Sequence, residues 1–297
     1  MKTVLAPEKP EKAASTPRTF ANILVAVDPA FDTEHLLAVA AGIGKRFAAH
    51  VSLLYVLPAG ELDPGDPAQR SALHLRGEHG IRDCADVMKI RHCPCTTMVR
   101  TGDIVPEVHS VVREQGIDLV IVGSAGASGL QKVRLGSVAE GLLRTLKVPV
   151  LTVGPEVPRT LGETDFRKIL FPVSFDVDPH VACRWVEPIA RRFDSHLIML
   201  HTLPVARRHH RQSSELAVAY QRKLEETLPC HGQPFRVDYV VNFGRPAEVI
   251  LQTAHTWEAD LVALPVRRSN SLASHLPGHI AYEVIRRSPC PVLTVRA

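Results

Sequence analysis

The sequence predicts an α/β fold built twice, as two tandem domains that are each a doubly wound, five-stranded parallel sheet. Three observations carry that expectation. The chain has 297 residues, room for two domains at roughly 150 residues each. Short runs rich in Val, Leu and Ile alternate with amphipathic stretches. The chain also repeats itself at a nearly fixed offset, which turns the length argument into a definite duplication.

The repeat is read first. Asn22-Ile-Leu-Val-Ala-Val-Asp28 resembles Lys168-Ile-Leu-Phe-Pro-Val-Ser174, 146 residues later. Leu119-Val-Ile-Val122 matches Leu261-Val-Ala-Leu264, and Val148-Pro-Val-Leu-Thr-Val153 matches Cys290-Pro-Val-Leu-Thr-Val295, both at 142. Gly102 and Gly244 stand at the same offset. Short insertions and deletions explain the drift, and the order never changes.

Within the first copy, residues 23–27, 51–57, 97–100, 119–122 and 149–153 read as strands. Such continuous apolar runs suit strands covered on both faces, as in a parallel sheet. Residues 35–47, 68–88, 105–114 and 138–146 read as helices. Strands alternating with helices imply right-handed crossovers and an open, doubly wound sheet. The second copy repeats this, with strands at 196–200 and 237–241 and helices that include 215–228, 248–257 and 280–286.

The domain plan follows. Residues 1–19, rich in Lys, Pro, Ala and Thr, read as a disordered tail. Residues 20–155 form the first domain, 166–297 the second, and 154–165, with two Pro and two Gly, the linker. Residues 58–67 read as a long loop.

Composition narrows the classes. With 45% hydrophobic and 22% charged residues and a mean hydropathy of +0.02, the chain is neither wholly disordered nor fibrous. Aromatic residues are only 5%, so Val, Leu, Ile and Ala must build most of the core. No apolar run approaches the ~18 residues of a membrane span, and the first residues lack the apolar region of a secretory signal. A soluble, cytoplasmic protein with no membrane partner is expected. A net charge of +4 is too weak and dispersed to argue for nucleic acid. The basic stretch 207–211 reads as a solvated loop or an anion-binding patch. None of the six cysteines has C-x-x-C spacing, so free thiols are expected, and His92-Cys93-Pro94-Cys95 lacks the second cluster a zinc site needs.

Ligands of open α/β sheets bind beyond the carboxyl ends of the strands. There the sequence places Val122-Gly123-Ser124-Ala125-Gly126, nine residues, then Gly136-Ser137-Val138. A glycine directly after a buried strand lets backbone N–H groups approach a ligand closely. Gly136-Ser137 stands where the next helix begins, and helix N-termini suit phosphate. A hydroxyl there can cap the helix or donate to a phosphate oxygen. On residue types alone, turn glycines and a capping serine without any ligand remain an equal alternative.

The G-x-x-G, nine residues, G-S pattern resembles the nucleotide-binding motif of the ATP-binding branch of the universal stress protein family. The first copy matches it in residue type and spacing. Asp28, Gly102 and the closing Val-Pro-Val-Leu-Thr-Val belong to the same resemblance, which spans both copies. The chain therefore resembles a tandem universal stress protein, with an adenine nucleotide alpha hydrolase-like fold and a role in stress response.

The resemblance implies ATP as ligand, with accompanying Mg2+ left open, and a nucleotide site of nine residues. Asp28 would lie by the ribose and the adenine edge, beside Ala26, where the family often has Pro. Val56, ending the second strand, would contact adenine. Val122 and Gly123 would close over base and sugar, and Gly126 would approach the phosphates. Gly136, Ser137 and Val138 would bind the phosphates. The resemblance also implies that the apolar closing strands, which pair between subunits in the family, pair here within one chain as a pseudo-dimer. Homodimerisation of the whole chain stays open.

The second copy departs from the motif. Gly123 becomes Pro265, Gly126 becomes Arg268, Ser137 becomes His279 and Asp28 becomes Ser174, while Gly136 survives as Gly278. Proline removes a backbone donor and Arg268 is bulky, so this half is expected not to bind ATP in the family manner. Either Arg267, Arg268 and His279 take another anion, or the site is lost.

No G-x-x-x-x-G-K-[S/T] is present, which excludes a P-loop. Gly42-Ile-Gly-Lys45 is a fragment inside a helical pattern. No Ser–His–Asp or paired-carboxylate constellation emerges, and His109 and His201 read as ordinary histidines. No catalytic residue and no metal ligand is named. The expected function is nucleotide-dependent action in stress response; slow ATP hydrolysis and a ligand-free interaction scaffold are the alternatives.

Overall fold

The computed structural model describes residues 20–31, 33–58, 67–124, 135–158, 164–176, 178–204, 210–227, 235–266 and 279–296. Gly126, Arg267, Arg268, Gly278, the tail 1–19 and most of the stretch 207–211 lie outside them.

In the first half, β1 (Asn22–Ala26), α1 (Glu34–Phe47), β2 (His50–Pro58), α2 (Pro67–Ile90) and β3 (Cys95–Gly102) come first. They are followed by α3 (Ile104–Glu114), β4 (Leu119–Gly123), α4 (Ser137–Thr145) and β5 (Val150–Val153). The second half opens with β6 (Lys168–Pro172), α5 (Pro179–Phe193), β7 (His196–Leu203), α6 (His210–Thr227) and β8 (Val237–Phe243). It closes with α7 (Pro246–Thr256), β9 (Leu261–Val266), α8 (His279–Arg287) and β10 (Val292–Arg296).

The ten strands form one sheet in the order β3-β2-β1-β4-β5-β10-β9-β6-β7-β8. Each half thus has the same doubly wound order, read outward from the seam. Every pairing among the described residues is parallel except one: β5 and β10 run antiparallel, with Leu151 opposite Leu293. The closing strands of the two copies do pair within the chain.

Strand alternation assigns the helices to faces. Val25, Leu53 and Ile121 point into a core shared by α1, α2, α5 and α6, which runs unbroken across both halves. Leu24, Leu54 and Val120 point the other way, against α3 and α4. Leu170, Ile198 and Val262 do the same against α7 and α8.

The shared core carries the duplication into side-chain geometry. Phe20 and Phe47 of the first half repeat as Phe166 and Phe193 of the second, and Phe47 packs on Phe193 at 6.4 Å. The Arg46 guanidinium lies 5.3 Å from the Phe193 ring centroid, and its repeat equivalent Arg192 lies 5.9 Å from that of Phe47. Gly102 and Gly244, 142 residues apart, adopt φ of +151° and +152°, a conformation open to glycine.

Three details differ from the sequence reading. β1 ends at Ala26, so Asp28 sits two residues past the strand in a turn. Val56 does not end β2, which continues to Pro58 to pair with Gly102 of β3. Ser137 is not the cap of α4; Gly136 is, and α4 has no side-chain cap bond. Helix α5 is the second-copy counterpart of α1, at the offset of 146. It starts where the Asp178 side chain accepts the His180 N–H at 3.0 Å, with Pro179 in its first turn, a position where proline loses no helical bond.

Candidate functional site

The candidate site is the carboxyl edge of β1, β2 and β4. Three of its residues lie on neighbouring strands and face the same layer. Ala26 pairs in register with Val122 of β4 and with Leu54 of β2, and Val56 stands two residues further along. Ala26, Val56, Val122 and Val138 all contribute to the core cluster beneath α3 and α4. Val56 and Val122 are buried, and Ala26 and Val138 are half-buried. The period of two in the strands makes this happen: 54, 56, 120 and 122 share a face.

Beyond this apolar floor the chain turns twice. The Asp28 carboxylate accepts the Ala30 N–H at 3.0 Å, and its carbonyl accepts the Phe31 N–H at 3.1 Å, so Asp28 heads a tight exposed turn. On β4, a Cβ placed on Gly123 would meet no described atom within 4 Å. Among the described residues nothing packs against that position, and Gly123 itself is half-buried.

The following residue ties the motif together. The buried Ser124 donates its N–H to the Val153 carbonyl at 3.0 Å, and its own carbonyl accepts the Gly136 N–H at 2.9 Å. Gly136 is thus fixed beside β4. Its carbonyl accepts the first bond of α4, from Glu140 N–H at 2.9 Å. The first N–H groups of α4 begin at the exposed Ser137, and such groups carry partial positive charge. Residue-type reasoning passed over Ser124; its position inside the glycine motif was the only signal, because its contribution is made through the backbone.

The structure thus brings together Ala26, Asp28, Val56, Val122, Gly123, Gly136, Ser137 and Val138 at one edge. Gly126 lies outside the described residues. His109 stands apart: its Nε2 and the Thr145 hydroxyl are 2.7 Å apart, and burial, with Arg113 and Arg296 nearby, lowers its pKa. Among the described residues no three His, Cys, Asp or Glu side chains gather as a metal site. No described helix is long and apolar enough to cross a membrane. Cys84, Cys93, Cys95 and Cys290 are free thiols.

A cleft of about 450 Å³ also lies at the junction of the halves, lined by Val39, Asp165, Glu258 and Asp260 among others. Its carboxylates are already engaged. Asp165 pairs with Arg167 at 2.7 Å, Glu258 with Lys168 at 3.1 Å, and Asp260 accepts the Lys168 N–H at 2.8 Å.

The family model described as the universal stress protein family matches residues 19–154 and again 165–296. The chain belongs to the universal stress protein family. A solved universal stress protein from Archaeoglobus fulgidus is similar over 93% of this chain and 98% of its own, at 22% identity and a TM-score of 0.74. A Thermus aquaticus universal stress protein is 38% identical over 85 residues, which is 26% of this chain and 61% of that relative. The Bacillus subtilis universal stress protein YxiE is 27% identical over 154 residues, 45% of this chain and 99% of YxiE.

The second universal stress protein domain has a different edge. Pro172 stands where the first has Ala26, and Pro265 where it has Gly123. Pairing between β6 and β9 covers two residue pairs, against four between β1 and β4. Proline cannot donate to the ladder, which accounts for the shortening. Ser174 replaces Asp28 and accepts the Asp176 N–H at 3.4 Å. His201 stacks on Tyr220 at 4.7 Å and 11°, while one of its ring nitrogens, Nδ1, lies 2.9 Å from the Val173 carbonyl.

Proposed function

We propose that the first domain of this universal stress protein binds an adenine nucleotide, ATP, and that the second does not bind it in the same way. The observation that supports this most is the pairing of open space at Gly123 with the Ser124–Gly136 bond. Together they set a half-buried strand end and a helix N-terminus side by side, above an apolar floor. On this reading Ala26, Val56 and Val122 take the base and Asp28 accepts from a ribose hydroxyl. The backbone of Gly123 and Gly126, with the N-terminus of α4 at Gly136, Ser137 and Val138, takes the phosphates.

The role in stress response then rests on the ligand's preference for one conformation or exposed surface over another. Mass spectrometry of what the purified full chain releases on denaturation, with thermal shifts in ATP and AMP, tests the reading. Released adenine nucleotide or a rise in melting temperature that saturates with ATP is expected. A nucleotide-free protein with no shift would leave the scaffold reading in its place.

A further inference from the structure

Helix α2 carries two glycines, Gly77 and Gly80, three residues apart in its interior. Each costs about 1 kcal/mol of helix stability relative to Ala, so each calls for a packing reason. A Cβ on Gly77 would stand 2.8 Å from Tyr55 Cε1 on β2. A Cβ on Gly80 would stand 2.5 Å from Cβ of Pro29, the residue after Asp28. One turn further on, the Cys84 Sγ of α2 meets the Thr33 Oγ1 at 3.7 Å, at the other end of the same loop. Just past the helix, Arg91 reaches Glu34 at 3.6 Å. The helix therefore meets the connection from β1 to α1 near both of its ends, and a side chain at position 80 would have its nearest described neighbour in Pro29, beside Asp28.

The repeat shows that this contact is a choice of this half. Buried Ile81 of α2 corresponds to buried Leu224 of α6, 143 residues later. At the same offset Gly77 becomes Tyr220 and Gly80 becomes Lys223. Tyr220 stacks on His201, the equivalent of Tyr55, and the Lys223 ammonium lies 4.0 Å from the Phe175 ring centroid, the equivalent of Pro29. Where α6 presents the side chains of Tyr220 and Lys223 to these partners, α2 presents glycine backbone.

We propose that Gly80 is a positioning residue for the nucleotide site: its missing side chain lets α2 press on Pro29 and hold the Asp28 turn in its binding geometry. This rests on the nucleotide reading of the first domain. A methyl group at 80 has to displace Pro29, and the turn with it, while a methyl at 77 displaces Tyr55 and leaves the turn alone.

The test compares Gly80→Ala with Gly77→Ala in the full chain, reading amide exchange at Ala30 and Phe31, ATP affinity and melting temperature. For Gly80→Ala, exchange at both amides is expected to rise and ATP affinity to fall, each by about tenfold. Gly77→Ala is expected to lower the melting temperature and leave both other readouts unchanged. Unaltered exchange at Ala30 and Phe31 in Gly80→Ala, or equal effects of the two variants, would overturn the proposal. Failure of the wild-type chain to bind ATP would instead overturn the nucleotide reading, and the exchange comparison would still decide the contact.

Discussion

The Gly136 N–H donates to the Ser124 carbonyl at 2.9 Å, tying the cap of α4 to the end of β4. Gly136 has φ −59° and ψ 143°, values proline also adopts. Gly136→Pro therefore removes this one donor without forcing the backbone. A lost hydrogen bond of this kind costs about 1 kcal/mol, a few degrees of melting temperature at most. ATP affinity is expected to fall about tenfold, measured by titration calorimetry. Unchanged affinity would separate the bond from the site.

Gly123 gives the complementary case. No described atom lies within 4 Å of its Cβ position, so Gly123→Leu is expected to leave the unfolding free energy in urea within about 0.5 kcal/mol of wild type. ATP binding is expected to disappear. A variant that unfolds early while still binding ATP would show that the glycine serves the fold.

The seam between the halves contains an asymmetry that stability measurements can read. Thr294 donates its hydroxyl to the Val150 carbonyl at 3.0 Å across the β5–β10 pair. Its repeat equivalent Thr152 is fully buried, with no partner for its hydroxyl among the described residues. Thr294→Val is expected to destabilise by about 1 kcal/mol, and Thr152→Val to be neutral or stabilising, because an unmet buried hydroxyl is costly. Urea unfolding of both variants checks this. Equal losses would contradict it.

Burial pushes the Cys290 thiol up from an ordinary value of 9.0 to about 12. Below pH 9 both the folded and the unfolded thiol are protonated, and the contribution is fully present. Between pH 9 and 12 the unfolded chain ionises first, so stability is lost as pH rises, by about 2 kcal/mol near pH 10.5. Cys290→Ala is expected to lower stability at pH 8 through lost packing but to flatten the decline between pH 8 and 10.5. A parallel decline in both proteins would rule out Cys290 as the source.

The parts of this molecule legible in the sequence are those fixed by main-chain pattern. Continuous apolar runs located the strands because a sheet covered on both faces leaves no polar alternation to confuse them. The offsets of 146 and 142 paired Asn22 with Lys168 and Gly102 with Gly244, and the two glycines share a backbone conformation. Helix α5 carries two prolines, residues that seldom sit inside helices, and both are accommodated: Pro179 lies in the first turn and Pro188 is buried. The exchange of Gly77 with Tyr220 and Gly80 with Lys223 was hidden for a physical reason. It is a trade of volume between a helix and a strand far apart in sequence, and neither partner alone signals it. Asp28, Val56 and Ser137 were placed a residue or two from where the strands and helix end, because hydrogen-bonded ends depend on neighbouring strands.

A duplicated chain with a single nucleotide site is tested most directly by titration calorimetry of the 297-residue protein with ATP. One site per chain is expected, abolished by Gly123→Leu. Two equivalent sites, or no binding at high micromolar ATP, would contradict it.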